Sequence, residues 1–264
     1  MNSSSPILLF DSGVGGLTVL AELRKLMPKA PVIYAADMAG LPYGTKSEAE
    51  VAARVAGLLG RMSERYEPRL ICIACNTAST IALGMVRDVL ETPIVGTVPA
   101  IKPAAAITRT GTIGLLGTEA TVRQAYVDDL EREFAVGKKL LRYGANGLVA
   151  LGEAKLRGDH VSVDDVAKAA AGLVLQVGGE SLDTVVLACT HFPLLEPELR
   201  QAFGPNVTFV HGAAGIARRI ESLLEGQKFS RWAKSYAVTT GDLDDFKRLS
   251  GAFAEHGIKT LKHF

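Results

Sequence analysis

The chain has 264 residues, of which 48% are hydrophobic, enough for buried cores in one large α/β domain or two small ones. Its 29 basic and 28 acidic residues leave a formal charge of +1, so the broad basic face of a nucleic-acid-binding protein is not expected. No apolar run reaches the ~18 residues of a membrane span, and the opening MNSSSPILLF has neither the basic nor the apolar region of a leader, so a cytoplasmic chain with no membrane partner is expected.

In chain order, the first apolar run is Ile7 to Phe10, which leads into Asp11-Ser12-Gly13-Val14-Gly15-Gly16. Val32 to Ala36 follows. A helical segment then opens at Ser47, with Glu50 three positions on as in a capping box, and carries Val51, Val55, Leu58, Leu59 and Met62 on one face. Leu70 to Ala74 ends at Cys75-Asn76-Thr77, and Pro93 to Thr97 comes next. Thr112 to Gly117 leads into Thr118-Glu119-Ala120-Thr121, and Thr184 to Ala188 into Cys189-Thr190-His191. Val207 to Val210 runs into His211-Gly212, and Ser235 to Thr240 is the last such run. Short β-branched runs alternating with helical spacing predict an α/β fold with mainly parallel sheets.

In such sheets ligands bind past the carboxyl ends of the strands, where a loop enters a helix. Four junctions have that form, beginning at Asp11, Cys75, Thr118 and Cys189. Asp11 and Thr118 are 107 positions apart and the two cysteines 114, which reads as an internal duplication. Two pseudo-symmetric α/β lobes are therefore expected, facing each other across a cleft that holds the active site. The first lobe would span 1–98 and be completed by 211–264; the second would span 99–210.

Three cysteines form no even disulfide framework, and Cys72, Cys75 and Cys189 lack the repeated spacing of a zinc site. Free thiols and no metal follow. Cys72 lies within a strand, on the opposite face from Cys75, and fits a small core residue. Cys75 and Cys189 each end a strand beside small polar residues, where a helix N-terminus or a cationic neighbour favours the thiolate. A single free cysteine is more often filler than catalyst; two at equivalent junctions reverse that reading.

A pair of thiols suits racemisation, in which a proton leaves one face of a carbon and another arrives at the opposite face. A thiol titrates near enough to neutrality to serve as base or acid. Asp11 and His191 share these junctions and are candidates to orient the thiols, although either residue would also fit a turn or a solvated loop. Glu153, after Leu148-Val149-Ala150-Leu151-Gly152, is a third candidate, equally compatible with an exposed helix face. Ser12, Asn76, Thr77, Thr121 and Thr190 offer neutral donors, and helix N-termini behind them suit carboxylates. The glycines at 13, 15 and 16 form neither a dinucleotide fingerprint nor a phosphate loop.

Four motifs occur in order: Phe-Asp-Ser-Gly-Val-Gly-Gly-Leu-Thr-Val at 10–19, Pro-Tyr-Gly-Thr-Lys at 42–46, Ala-Cys-Asn-Thr-Ala-Ser at 74–79 and Ala-Cys-Thr-His-Phe-Pro at 188–193. On these the chain resembles the glutamate racemase family. The resemblance implies interconversion of L- and D-glutamate for peptidoglycan synthesis, with no pyridoxal phosphate or metal, and often as a homodimer. It further implies that Cys75 takes the α-proton of D-glutamate and Cys189 that of L-glutamate, assisted by Asp11, His191 and Glu153. Substrate contacts would come from Asp11, Ser12, Tyr43, Gly44, Asn76, Thr77, Thr121, Thr190 and His191. Two positions depart from the family pattern: the loop 37–41 has no arginine, and Ala188 stands where glycine is common. Three alternatives stay open: an aspartate or hydantoin racemase, a non-catalytic amino-acid-binding module, and a zinc hydrolase using Cys75, Cys189 and His191.

Overall fold

The computed structural model describes residues 3–230 and 232–264. Its contacts divide the chain into two compact units, one running to Thr97 and joined by Ala213–Phe264, the other Val98–Gly212.

The first unit is built on a six-stranded sheet of β1 (Ile7–Asp11), β2 (Val32–Ala36), β3 (Leu70–Ile73), β4 (Ile94–Gly96), β9 (Tyr236–Thr239) and β10 (Leu261–His263), in the order β10-β9-β2-β1-β3-β4. The second holds β5 (Thr112–Gly117), β6 (Lys139–Gly144), β7 (Thr184–Ala188) and β8 (Thr208–Val210), in the order β6-β5-β7-β8. Every pairing is parallel. Apart from the edge strands β6 and β10, the strands are near-continuous apolar runs because both faces of a parallel sheet are covered by helices.

The two sheets share a motif. The leading strand of each unit, β1 or β5, lies between the second and third strands, with the fourth outside the third. Asp11 and Thr118 therefore close equivalent strands, as do Cys75 and Cys189.

Ser47 caps the helix Glu48–Tyr66 by accepting from the Glu50 amide. Val51, Val55, Leu59 and Met62 of that helix are fully buried, and Leu58 is partly so, against Leu8, Phe10, Ile71 and Ile73 of the sheet. Each such side chain contributes about 1.5–3 kcal/mol of transfer free energy. In the second unit Ile101, Ala104, Val127 and Leu130 pack on Ile113, Leu115 and Val186.

One junction differs from expectation. Cys189 leads not into an α-helix but into a 3₁₀ turn, Phe192–Leu195, with the helix Glu196–Phe203 beginning beyond it. Pro193 and Pro197 account for this: Pro197 has no amide to donate back to residue 193, so a continuous helix cannot form across it. The second thiol thus has no α-helical N-terminus behind it.

Candidate active site

In the first unit, the chain leaves β3 through Cys75, the N-cap of the helix Asn76–Val89. Its sulfur accepts from the Ala78 amide at 3.4 Å and lies 3.4 Å from Ser12 Oγ. Because β1 pairs with β3, Asp11 and Ser12 emerge on the same sheet edge as Cys75. Asn76 and Thr77 form the first turn of the helix and are buried.

Asp11 is fully buried. Its Oδ2 accepts from the Gly16 amide at 2.7 Å and from Tyr34 Oη at 3.3 Å. A Cβ at Gly16 would fall 2.8 Å from Tyr34 Oη and 3.2 Å from Asp11 Cβ, so glycine is what allows the turn to close on the carboxylate. Sequence reasoning missed Tyr34, which reads as an ordinary strand residue in Val32–Ala36. Only its register opposite Leu9 of β1 brings it beneath the Asp11 loop.

Tyr43 and Gly44 open a 3₁₀ turn, Tyr43–Thr45. The Tyr43 ring lies in the core, and its hydroxyl donates to Asp37 Oδ2 at 2.6 Å. Burial first, then the Asp37 charge, pushes the phenol well above its ordinary range. What this turn can present to a ligand is its backbone N–H groups, which have no intrahelical partner at a turn's start.

In the second unit, Cys189 Sγ lies 3.8 Å from His191 Nδ1, and His191 Nε2 lies 2.7 Å from Glu153 Oε1. Both His191, in the turn after β7, and Glu153 are buried, so neither is a solvated residue. Burial alone would lower the histidine pKa, but its hydrogen bonds to Cys189 and Glu153 and their charges outweigh this and raise it well above 6.5. An imidazolium here donates from Nδ1 toward the sulfur and from Nε2 to the carboxylate. Glu153 arrives on the helix Gly147–Leu156, where Gly152 lets the backbones approach: a Cβ there would come within 3.0 Å of His191 Cβ. Arg157, one turn on, lies 3.6 Å from Glu153 Oε2.

Thr118 caps the short helix Glu119–Val122 and is bonded to Thr121 through their hydroxyls at 3.0 Å. Gly117 pairs with Ala188, so these threonines share an edge with Cys189 and the buried Thr190. The three thiols are distinguished by burial. Cys72 is 0% exposed, against 5% for Cys75 and 7% for Cys189, and burial followed by the Asp11 charge pushes its pKa to about 12. Among the described residues no group of three or more His, Cys, Asp or Glu could hold a metal ion. No described helix is long and apolar enough to cross a membrane.

Two parallel-sheet units, each with a thiol at the end of its third strand and an oriented polar partner beside it, define an amino-acid racemase architecture. The chain belongs to the Asp/Glu/Hydantoin racemase family, whose sequence pattern matches residues 18–220.

Within that family, relatives named glutamate racemase align with most of this chain. A glutamate racemase of Sphingopyxis alaskensis is 63% identical over 84% of this chain and 83% of its own length. One from Pectobacterium atrosepticum is 44% identical over 84% and 77%. Among solved structures, Escherichia coli glutamate racemase in complex with L-glutamate and the activator UDP-MurNAc-ala superposes with a TM-score of 0.90 at 40% identity, covering 98% of each chain. The Bacillus anthracis isoform RacE1 gives 0.84 at 27% identity, covering 100% of this chain and 98% of that one.

Proposed function

We propose that this protein interconverts L- and D-glutamate by moving the α-proton between the thiols of Cys75 and Cys189, with no cofactor. The observation that carries the reading is the occurrence of one slightly accessible thiol at the equivalent strand end of each unit, each beside its own polar partners. A binding module needs neither thiol, and a hydrolase would need only one nucleophile.

With D-glutamate bound, the Cys75 thiolate takes the α-proton and the Cys189 thiol gives its own to the opposite face of the carbanion, leaving L-glutamate. Cys75 is then the thiol and Cys189 the thiolate, ready for the reverse reaction. Ser12 and Asp11 serve the first thiol. His191, bonded to Glu153 through Nε2, turns Nδ1 toward the Cys189 sulfur and serves the second thiol. Ser12, Asn76, Thr77, Thr121 and Thr190 supply donors for the substrate, and the Tyr43–Gly44 turn supplies N–H groups for the distal carboxylate. The relatives named glutamate racemase, and the E. coli complex with L-glutamate, favour glutamate over aspartate or a hydantoin. Supply of D-glutamate for peptidoglycan, a cytoplasmic location and a homodimer belong to the same proposal.

The deciding experiment incubates L-glutamate with the protein in heavy water, without added cofactor. Deuterium should appear at Cα as optical rotation decays, faster than with L-aspartate or a hydantoin. Retention of the protium by folded protein, or a preference for either competitor, ends the glutamate reading.

A further inference from the structure

Beyond the residues assigned to substrate and thiols, the first unit contains a buried carboxylate at the end of β2. Asp37 directly follows β2 and is fully buried. Its Oδ2 accepts from Tyr43 Oη at 2.6 Å and from Arg54 Nε; its Oδ1 accepts from Arg54 Nη2 at 2.7 Å and from Thr240 Oγ1. Thr240 in turn accepts from the Ala39 amide at 3.2 Å. Four donors thus converge from three separate segments: the 43–45 turn, the helix Glu48–Tyr66 and the end of β9. The Arg54, Thr240 and Tyr43 hydrogen bonds overcome the effect of burial and hold the Asp37 pKa below its ordinary value.

The glycine at position 40 is a second and independent sign that this network is built to tolerance. A Cβ there would meet Asp37 Oδ2 at 2.3 Å, Arg54 Nε at 2.4 Å and the Tyr43 ring at 2.8 Å. The 38–40 turn is therefore packed directly on the network. A fully satisfied buried polar network of this kind rigidifies what it joins.

We infer that Asp37 is a positioning residue: through Tyr43 it fixes the Tyr43–Gly44 turn, and so the length of dicarboxylic amino acid that the site accepts. The inference rests on the reading of that turn as the receptor for the distal carboxylate. Because the Tyr43 hydroxyl is committed to Asp37, the position of its backbone follows that of its ring. Glutamate and aspartate differ by one methylene, so a small shift of the turn changes their relative fit. Arg54 and Thr240 act at one remove, by holding the carboxylate.

The test begins with wild-type turnover of L-glutamate; its absence would sink the glutamate reading itself, before any variant is made. Given turnover, Asp37→Asn should raise the KM for glutamate about tenfold, the scale of a charge-assisted hydrogen bond, and Thr240→Val about threefold. Thr240→Ser should return to within about twofold of wild type. In Asp37→Asn and Thr240→Val kcat should change less than KM, and the preference for glutamate over aspartate should fall severalfold, whereas Thr240→Ser should keep it. Should Asp37→Asn not fold, the Thr240→Val and Thr240→Ser pair decides alone. A fall in kcat at constant KM, or an unchanged glutamate-to-aspartate ratio in Thr240→Val, overturns the inference.

Discussion

Glu153 Oε1 lies 2.7 Å from His191 Nε2, with both side chains buried and the opposite ring nitrogen turned toward the Cys189 sulfur. A carboxylate so placed fixes the tautomer and orientation of the ring and favours its protonated form. Burial opposes that charge, but the bonds to Cys189 and Glu153 prevail and the histidine pKa stands well above 6.5. A group raised on folding adds stability that is complete below the unfolded value of about 6.5 and is lost as pH climbs through the folded one. Imidazole nitrogen resonances should accordingly report a charged His191 above pH 6.5, and Glu153→Gln should lower its midpoint. The same substitution should reduce turnover about ten- to hundredfold, as expected for loss of a charge-assisted bond. A neutral ring at pH 6.5 in the unaltered protein would contradict this account.

Cys75→Ser and Cys189→Ser should each lower racemisation by about 10²–10⁴-fold, the range of a lost general acid or base, with the circular dichroism unchanged. Cys72→Ala should retain activity. That thiol is fully buried and its pKa is pushed up to about 12, so it remains a neutral core group, and its removal should cost about 1 kcal/mol of stability through a small cavity. Turnover near the wild-type rate in either serine variant would exclude the two-thiol scheme.

The α/β class was legible because eight of the ten strands are short apolar runs that need no context to be recognised. The two that escaped have physical reasons. β6 is an edge strand reading Lys-Leu-Leu-Arg-Tyr-Gly, with Lys139 exposed and Leu141 its buried residue; β10 has three residues, of which Lys262 and His263 are exposed. Edge strands carry charge because their outer side faces solvent. At the site, residues at strand ends could be singled out by position alone. Tyr34, Asp37, Arg54 and Thr240 could not, since what brings them together is register and packing between segments far apart in sequence. A cue for Asp37 did exist, in that it follows β2 as Ser12 follows β1.

Tyr34 gives a further test of how Asp11 is held. Its hydroxyl lies 3.3 Å from Asp11 Oδ2 and 3.2 Å from the Gly13 carbonyl, and the ring packs edge-on against Phe253 at 5.2 Å. Tyr34→Phe keeps the ring and removes only the hydroxyl, so folding should survive. Asp11 would retain the Gly16 amide but lose a lateral restraint. Turnover should fall about three- to tenfold, consistent with one neutral hydrogen bond, and more in the direction that uses Cys75 as base. Initial rates measured separately from D- and L-glutamate would read this; unchanged rates in both directions would show that the Tyr34 hydroxyl is not needed to hold Asp11.

Asp183 offers a prediction about stability that leaves the chemistry untouched. It stands just before β7 and accepts from Thr108 Oγ1 at 2.6 Å, the Arg109 and Thr110 amides at 2.7 and 2.9 Å, and Thr184 Oγ1 at 2.9 Å, pinning the loop that enters β5. Burial works to raise its pKa, but these donors bring it from 3.8 down to about 2. A carboxylate depressed on folding contributes stability that is present above the unfolded value and lost as pH falls through the folded one. Discounted for solvent screening at the unit's rim, the contribution is about 1 kcal/mol. Urea unfolding of Asp183→Asn should therefore show a deficit of about that size at pH 7, equivalent to roughly 2–4 °C in Tm. The gap should narrow between pH 4 and pH 2 as the wild-type carboxyl takes up its proton. A deficit that stays constant across that range would mean that the loop is held by packing and not by the charge of Asp183.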